Sequence, residues 1–175
     1  RRRPGKVEAL NLLAVTYRRL GRGTEAQAAY RALVQAAPAD SEVCGAVASF
    51  YAEKLWAGKS RFPLAVIEHE RCIALKPKDP APYCQLAAAY WNEAYRSVES
   101  ETAINRLSDL GLTASDKGLA LQADSYACLA YKGQLLEVKA RVAATAPLRQ
   151  RYRKEAREMQ EAANEAQRRE RERRP

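Results

Sequence analysis

The sequence is poor in the residues that usually carry chemistry. It has a single histidine, His69, a single methionine and only two tryptophans. It also lacks any apolar run approaching the roughly 20 residues of a membrane-crossing helix. No signal peptide is visible. A chain opening on Arg1 reads as a trimmed or mature form, and a removed leader would fit it, so the compartment stays open between cytoplasmic and extracytoplasmic. Catalytic and cofactor motifs are missing: there is no GxGxxG, P-loop, GxSxG or HExxH. Gly21-Arg22-Gly23 falls between two helical patterns, whereas a phosphate-cradling glycine turn follows a strand. His69 has no acid or cysteine at ligand spacing, and no cysteine belongs to a CxxC pair. Paired acids such as Glu68/Glu70 are two apart on a helix, and side chains at that spacing diverge. No catalytic residue, cofactor or metal is therefore expected, and the chain reads as non-enzymatic.

Charge is abundant but unevenly placed. The net charge is +9 over 175 residues. Residues 1–6 hold Arg1, Arg2, Arg3 and Lys6, and residues 148–175 hold 10 Lys/Arg against 6 Glu. The stretch 7–147 is nearly balanced, with 16 Lys/Arg and 15 Asp/Glu. A nucleic-acid reader needs a basic stripe on its folded face. Here the excess lies at the two ends, so those ends read as solvated charge and a nucleic-acid partner is not expected.

What is present is helical periodicity. Leu10, Leu13, Ala14 and Tyr17 fall at i, i+3, i+4 and i+7 and share one helix face. Leu20-Gly21 ends that helix. A second amphipathic run carries Ala26, Tyr30 and Leu33, and Pro38 closes it. Val47, Ala48 and Tyr51 then recur 34 residues after Leu13, Ala14 and Tyr17. Ala65, His69, Cys72 and Pro77 repeat the second run after an insertion between Leu55 and Pro63, where Pro63 suits a helix start. Tyr83, Leu86, Ala87 and Tyr90 open a third unit, on a helix read as reaching about Val98. Its partner runs from Glu101 to Leu121, with a weak point at Leu110-Gly111-Leu112-Thr113. A fourth first-helix spans Asp124 to about Ala143, with Gly133 in its small-residue slot. A last helix runs from Pro147 to about Arg173 with a thin stripe of Leu148, Tyr152, Ala156, Met159, Ala163 and Ala166.

The recurring order is bulky, small and Tyr positions, then Ala, aromatic and Pro. It resembles the tetratricopeptide-repeat (TPR) family, closely in residues 7–40 and more loosely later. Tyr90-Trp91-Asn92-Glu93-Ala94-Tyr95-Arg96 further resembles the phrase YWDKAYR of a bacterial subgroup of such repeats. An Arg/Ala-rich composition suits a bacterial source. The resemblance implies an all-α fold: an α-solenoid of antiparallel helix pairs, a TPR-like superhelix with a C-terminal capping helix. It divides the chain into a basic tail (1–6), a repeat domain (7–147) and a charged capping helix (148–175). Ala14, Ala48 and Ala87 are then the tightest helix–helix contacts. His69, in an aromatic slot, reads as a packing residue.

The cysteines Cys44, Cys72, Cys84 and Cys128 each take a small or apolar slot on a face expected to be buried. They read as four core thiols, since a free cysteine packs as a small hydrophobe. A Cys44–Cys72 disulfide is the alternative while the redox compartment is open.

The family likeness implies a protein-interaction scaffold or adaptor, holding a peptide or helix in a concave groove lined by the first helix of each unit. Beside the core positions, that wall is Asn11, Val15 and Arg18 in the first unit, Ser49 in the second, and Gln85, Trp91, Asn92 and Tyr95 in the third. A carboxylate clamp of Lys and Asn, used by some family members, is absent: the matching slots hold Asn11, Val15, Ala46, Ala81 and Gln85. Trp91 is expected either as an open contact or as a wedge beside the inserted segment and Trp56. The alternatives to a peptide groove are self-association through the C-terminal helix, giving a homo-oligomer, and binding of RNA or an anionic membrane by the basic ends.

Overall fold

A computed structural model describes residues 4–52, 61–96 and 100–173. Among these residues the protein is all-α. Eight helices are present and no strand. The chain falls into two compact units, Arg1–Pro77 and Lys78–Pro175. No described helix is long and apolar enough to cross a membrane.

The first unit holds α1 (Pro4–Arg19), α2 (Gly23–Ala36), α3 (Ser41–Ala52) and α4 (Phe62–Leu75). The α1–α2 junction is set by Gly21, whose φ of 70° is the left-handed conformation that glycine adopts without penalty. Gly21 N–H then donates to Arg18 O at 3.1 Å and Arg22 N–H to Tyr17 O at 2.9 Å, the paired bonds of a Schellman motif. The Arg22 guanidinium lies 4.9 Å from the Tyr17 ring centre and closes the turn. Asp40 begins α3 by accepting the Glu42 and Val43 N–H groups. Pro63 stands in the first turn of α4, as its sequence position implied. Helices α1 and α2 pack together, as do α3 and α4. The shared core contains Ala14, Ala26, Tyr30, Leu33, Val47, Phe50 and Ala65, with the Tyr30 and Phe50 rings 4.5 Å apart.

Two core expectations need correction here. Leu13 is 42% exposed. The line that packs against the core is Val7, Leu10, Ala14 and Tyr17. Leu13 sits about 100° round from Ala14 on the helix. Cys44 and Cys72 are joined in a disulfide between α3 and α4, with Cα atoms 5.6 Å apart. That pairing was the alternative; the free-thiol reading fails because the two helices pack face to face at these slots.

The second unit holds α5 (Ala81–Arg96), α6 (Glu101–Leu121), α7 (Tyr126–Arg141) and α8 (Ala146–Glu172). Ser100 caps α6 through Ala103 N–H, and Thr145 caps α8 through Leu148 N–H. The centre is α6. Ile104, Ser108, Gly111, Ser115 and Gly118 follow each other at alternating spacings of four and three, so they form one narrow buried seam. Both α5 and α7 pack on α6 and on each other. A Cβ at Gly111 would lie 2.8 Å from the Leu135 methyls, and one at Gly118 would collide with Cys128 Sγ. Gly111 therefore marks a close approach. The weak point expected there is absent, and α6 is continuous. Cys128 is bonded to Cys84 across α5 and α7, with Cα atoms 4.6 Å apart. No described cysteine is free.

Helix α8 covers α7. At Gly133 the Ala156 carbonyl comes within 3.1 Å of where a Cβ would be. Ala156, Ala163 and Ala166 are buried, while Leu148, Tyr152 and Met159 are half-buried. The apolar stripe of α8 thus faces its own unit. Lys139 ties three helices together. Its buried ammonium bonds Asp109 of α6 and lies 5.4 Å from the Tyr152 ring centre of α8.

Candidate functional site

The eight candidate groove residues divide evenly between the two units. In the first, Asn11 and Ser49 are exposed, while Val15 and Arg18 are half-buried. Asn11 lines an open recess of about 340 Å³ between α1 and the start of α3. Val7, Ala37, Val43 and Ala46 supply its apolar side chains, and Glu8, Asp40 and Glu42 its acidic ones. Val15, Arg18 and Ser49 do not line that recess.

In the second unit, Gln85, Asn92 and Tyr95 stand at spacings of seven and three, so they share one face of α5. Tyr95 is 57% exposed. Asn92 is half-buried; its Nδ2 donates to Ala88 O at 3.1 Å and its Oδ1 accepts from Arg96 at 3.1 Å. Trp91 lies at the α7 edge of that face and is half-buried. Its ring stacks on Tyr95 at 5.6 Å and meets Tyr131 of α7 at 5.9 Å. Behind it are Ala94, Ile104 and Val138. Part of the Trp91 ring is therefore structural packing. Trp56 and the insertion up to residue 60, the other contact considered, lie outside the described residues.

Two residues that the sequence reading did not single out complete the cluster, Tyr131 and Arg141. Arg141, in the last turn of α7, donates to Ala94 O at 3.3 Å and Tyr95 O at 3.4 Å. Those carbonyls lie in the last described turn of α5, the end of a helix that favours a cation; the stretch to Val98, into which the helix was expected to run, lies outside the described residues. The same guanidinium lies 5.4 Å from the Tyr95 ring centre. Basic residues in a last turn are visible in sequence; which neighbouring helix they cap is not.

The edge is thus a stack of Tyr131, Trp91 and Tyr95 ending in a fixed guanidinium. It offers ring faces to apolar or aromatic groups and a positive charge to a carboxylate. It offers no nucleophile paired with a base. His69 is in the first unit and buried, with burial pushing its pKa down to about 4. Among the described residues no three His, Cys, Asp or Glu side chains group so as to hold a metal ion. Compared with family models and with curated proteins, the chain matches none.

Proposed function

We propose that this chain is a non-enzymatic protein-interaction module of the TPR kind. On this reading α1/α2, α3/α4, α5/α6 and α7/α8 are antiparallel pairs stacked within each unit as an α-solenoid, and a bacterial adaptor or scaffold is the setting. The partner is a peptide or helix lying along the first helices of successive pairs. One observation carries the reading: α5 and α7 lie side by side, joined by Cys84–Cys128, and present Tyr95, Trp91, Tyr131 and Arg141 along one edge. An exposed tyrosine beside two half-buried aromatics and an arginine matches the composition of binding hot spots.

Tyr95 is the residue to change. Trp91→Ala would also open the cluster with Ile104 and Val138, so loss of binding would be mixed with loss of packing. The test is selection of a random peptide library on the immobilised chain, followed by titration of the selected peptides. Tyr95→Ala is expected to weaken them by about 2 kcal/mol, a typical hot-spot loss, with the melting temperature nearly unchanged. Selected peptides that bind Tyr95→Ala and Gln85→Ala as well as the parent would remove the site.

A further inference from the structure

Several charges along α8 are paired one turn apart. Arg151 bonds Glu155 at 2.7 Å, Arg169 bonds Glu165 at 2.8 Å, and Lys154 faces Glu158 at 3.8 Å. Each is an opposite-charge pair one helical turn apart, which supports the helix. Arg149, Arg153 and Arg157 are also spaced by four, but all three are positive and exposed. Like charges at that spacing oppose helix formation. Arg149 donates to the Ala143 carbonyl and Arg157 to the Arg153 carbonyl, each at 3.3 Å. Among the described residues none of the three forms an ion pair. These carbonyl contacts leave the three positive charges uncompensated.

The stripe lines a built feature. Between α7 and α8 are two adjoining open recesses of about 550 and 400 Å³. Arg149 and Arg153 line both, Arg157 the larger and Arg141 the smaller, and Glu137 is the only acid in either lining.

We propose that this arginine-lined recess docks an extended acidic segment of a protein partner. Successive arginines of the stripe rise about 6 Å along the helix. Alternate side chains of an extended peptide rise about 6.6 Å. Three carboxylates at alternate positions therefore meet three guanidiniums, whose planar forks suit carboxylate oxygens. Glu137 repels carboxylates and phosphates alike, but it can accept a hydrogen bond from a peptide N–H, a donor that a phosphate chain lacks. A flat bilayer cannot enter a recess. Arg141 also borders Tyr95, so the acidic segment runs on from the edge assigned above. The inference rests on the interaction-module reading only for the kind of partner.

The probe is a fluorescein-labelled peptide of alternating glutamate and serine, titrated by anisotropy into the full chain. The parent is expected to bind it, and the triple variant R149Q/R153Q/R157Q to lose roughly tenfold or more in affinity. Removal of like charges should leave the triple variant's melting temperature equal or higher. R153E is expected to weaken the glutamate peptide more than R153Q does. No binding by the parent, or equal binding by the triple variant, overturns the proposal. Tighter capture of poly-uridylate or of phosphatidylserine vesicles through the same three arginines also overturns it, by giving the stripe to phosphate. Library-selected peptides that depend on Tyr95 report on the groove alone, so either reading can fall without the other.

Discussion

Among the described residues no counter-charge meets the buried His69, and burial lowers its pKa from 6.5 to about 4. An unfolded chain protonates this imidazole in a range where the folded chain does not. The contribution is therefore fully present above about pH 6.5 and is lost as pH falls from there towards 4. Chemical denaturation is expected to show a loss of roughly 2 kcal/mol between about pH 7 and pH 5, above the range where most carboxylates titrate. His69→Phe, which keeps an aromatic in the slot, should flatten that dependence; an unchanged slope would mean that His69 is not the group responsible. At this scale the sequence was informative wherever a slot recurs. Ala14, Ala48 and Ala87 share a repeat position and all have zero exposure. Leu13 shares its slot with Val47 and Leu86, yet only those two are buried. Periodicity gives direction on a helix, and burial needs a neighbour on that side. Tyr131 and Arg141 were illegible for a related reason, since their roles depend on which ring and which carbonyls α5 brings to α7.

Among the elements, α6 shows how a glycine can be read two ways. In sequence, Gly111 within a degraded repeat suggests a break. In the fold, Gly111 and Gly118 are seven apart on a seam that α5 and α7 press against. The difference is contact, which no local pattern reports. Two glycine substitutions separate the effects. Gly118→Ala gains helix propensity of about 1 kcal/mol. Its Cβ, however, would meet a sulfur held by a covalent bond, so overpacking of about 1–3 kcal/mol should win. Gly45, inside α3, has nothing within 4 Å of an added Cβ, so Gly45→Ala should stabilise by about 0.5–1 kcal/mol. Thermal melts of the two variants should move in opposite directions. A stabilised Gly118→Ala would mean that α5 and α7 do not crowd α6. The range of α6, Glu101 to Leu121, was legible in the sequence; its Ser100 cap was not singled out there and is seen in the fold.

At the scale of the whole molecule, each unit has its own buried core and its own covalent link. The thirty-four-residue recurrence was legible; the pairing of Cys84 with Cys128 was not, because it depends on α5 and α7 touching. The two links have a mechanical consequence. They join residues 28 and 44 positions apart in the chain. When the protein is pulled by its ends, tension passes through each sulfur bridge and bypasses the loop behind it. The bypassed loops cannot lengthen, however completely their helices unfold. Single-molecule stretching without reductant should therefore stop roughly 240 Å short of the extension reached after reduction, taking about 3.3 Å per withheld residue. Equal extensions in the two conditions would show that the folded protein carries no such bridges. If the shortfall is seen, α6, most of α5 and only the very start of α7 form a segment that load cannot reach, so Trp91 and Tyr95 of the aromatic edge lie inside it and Tyr131 and Arg141 outside.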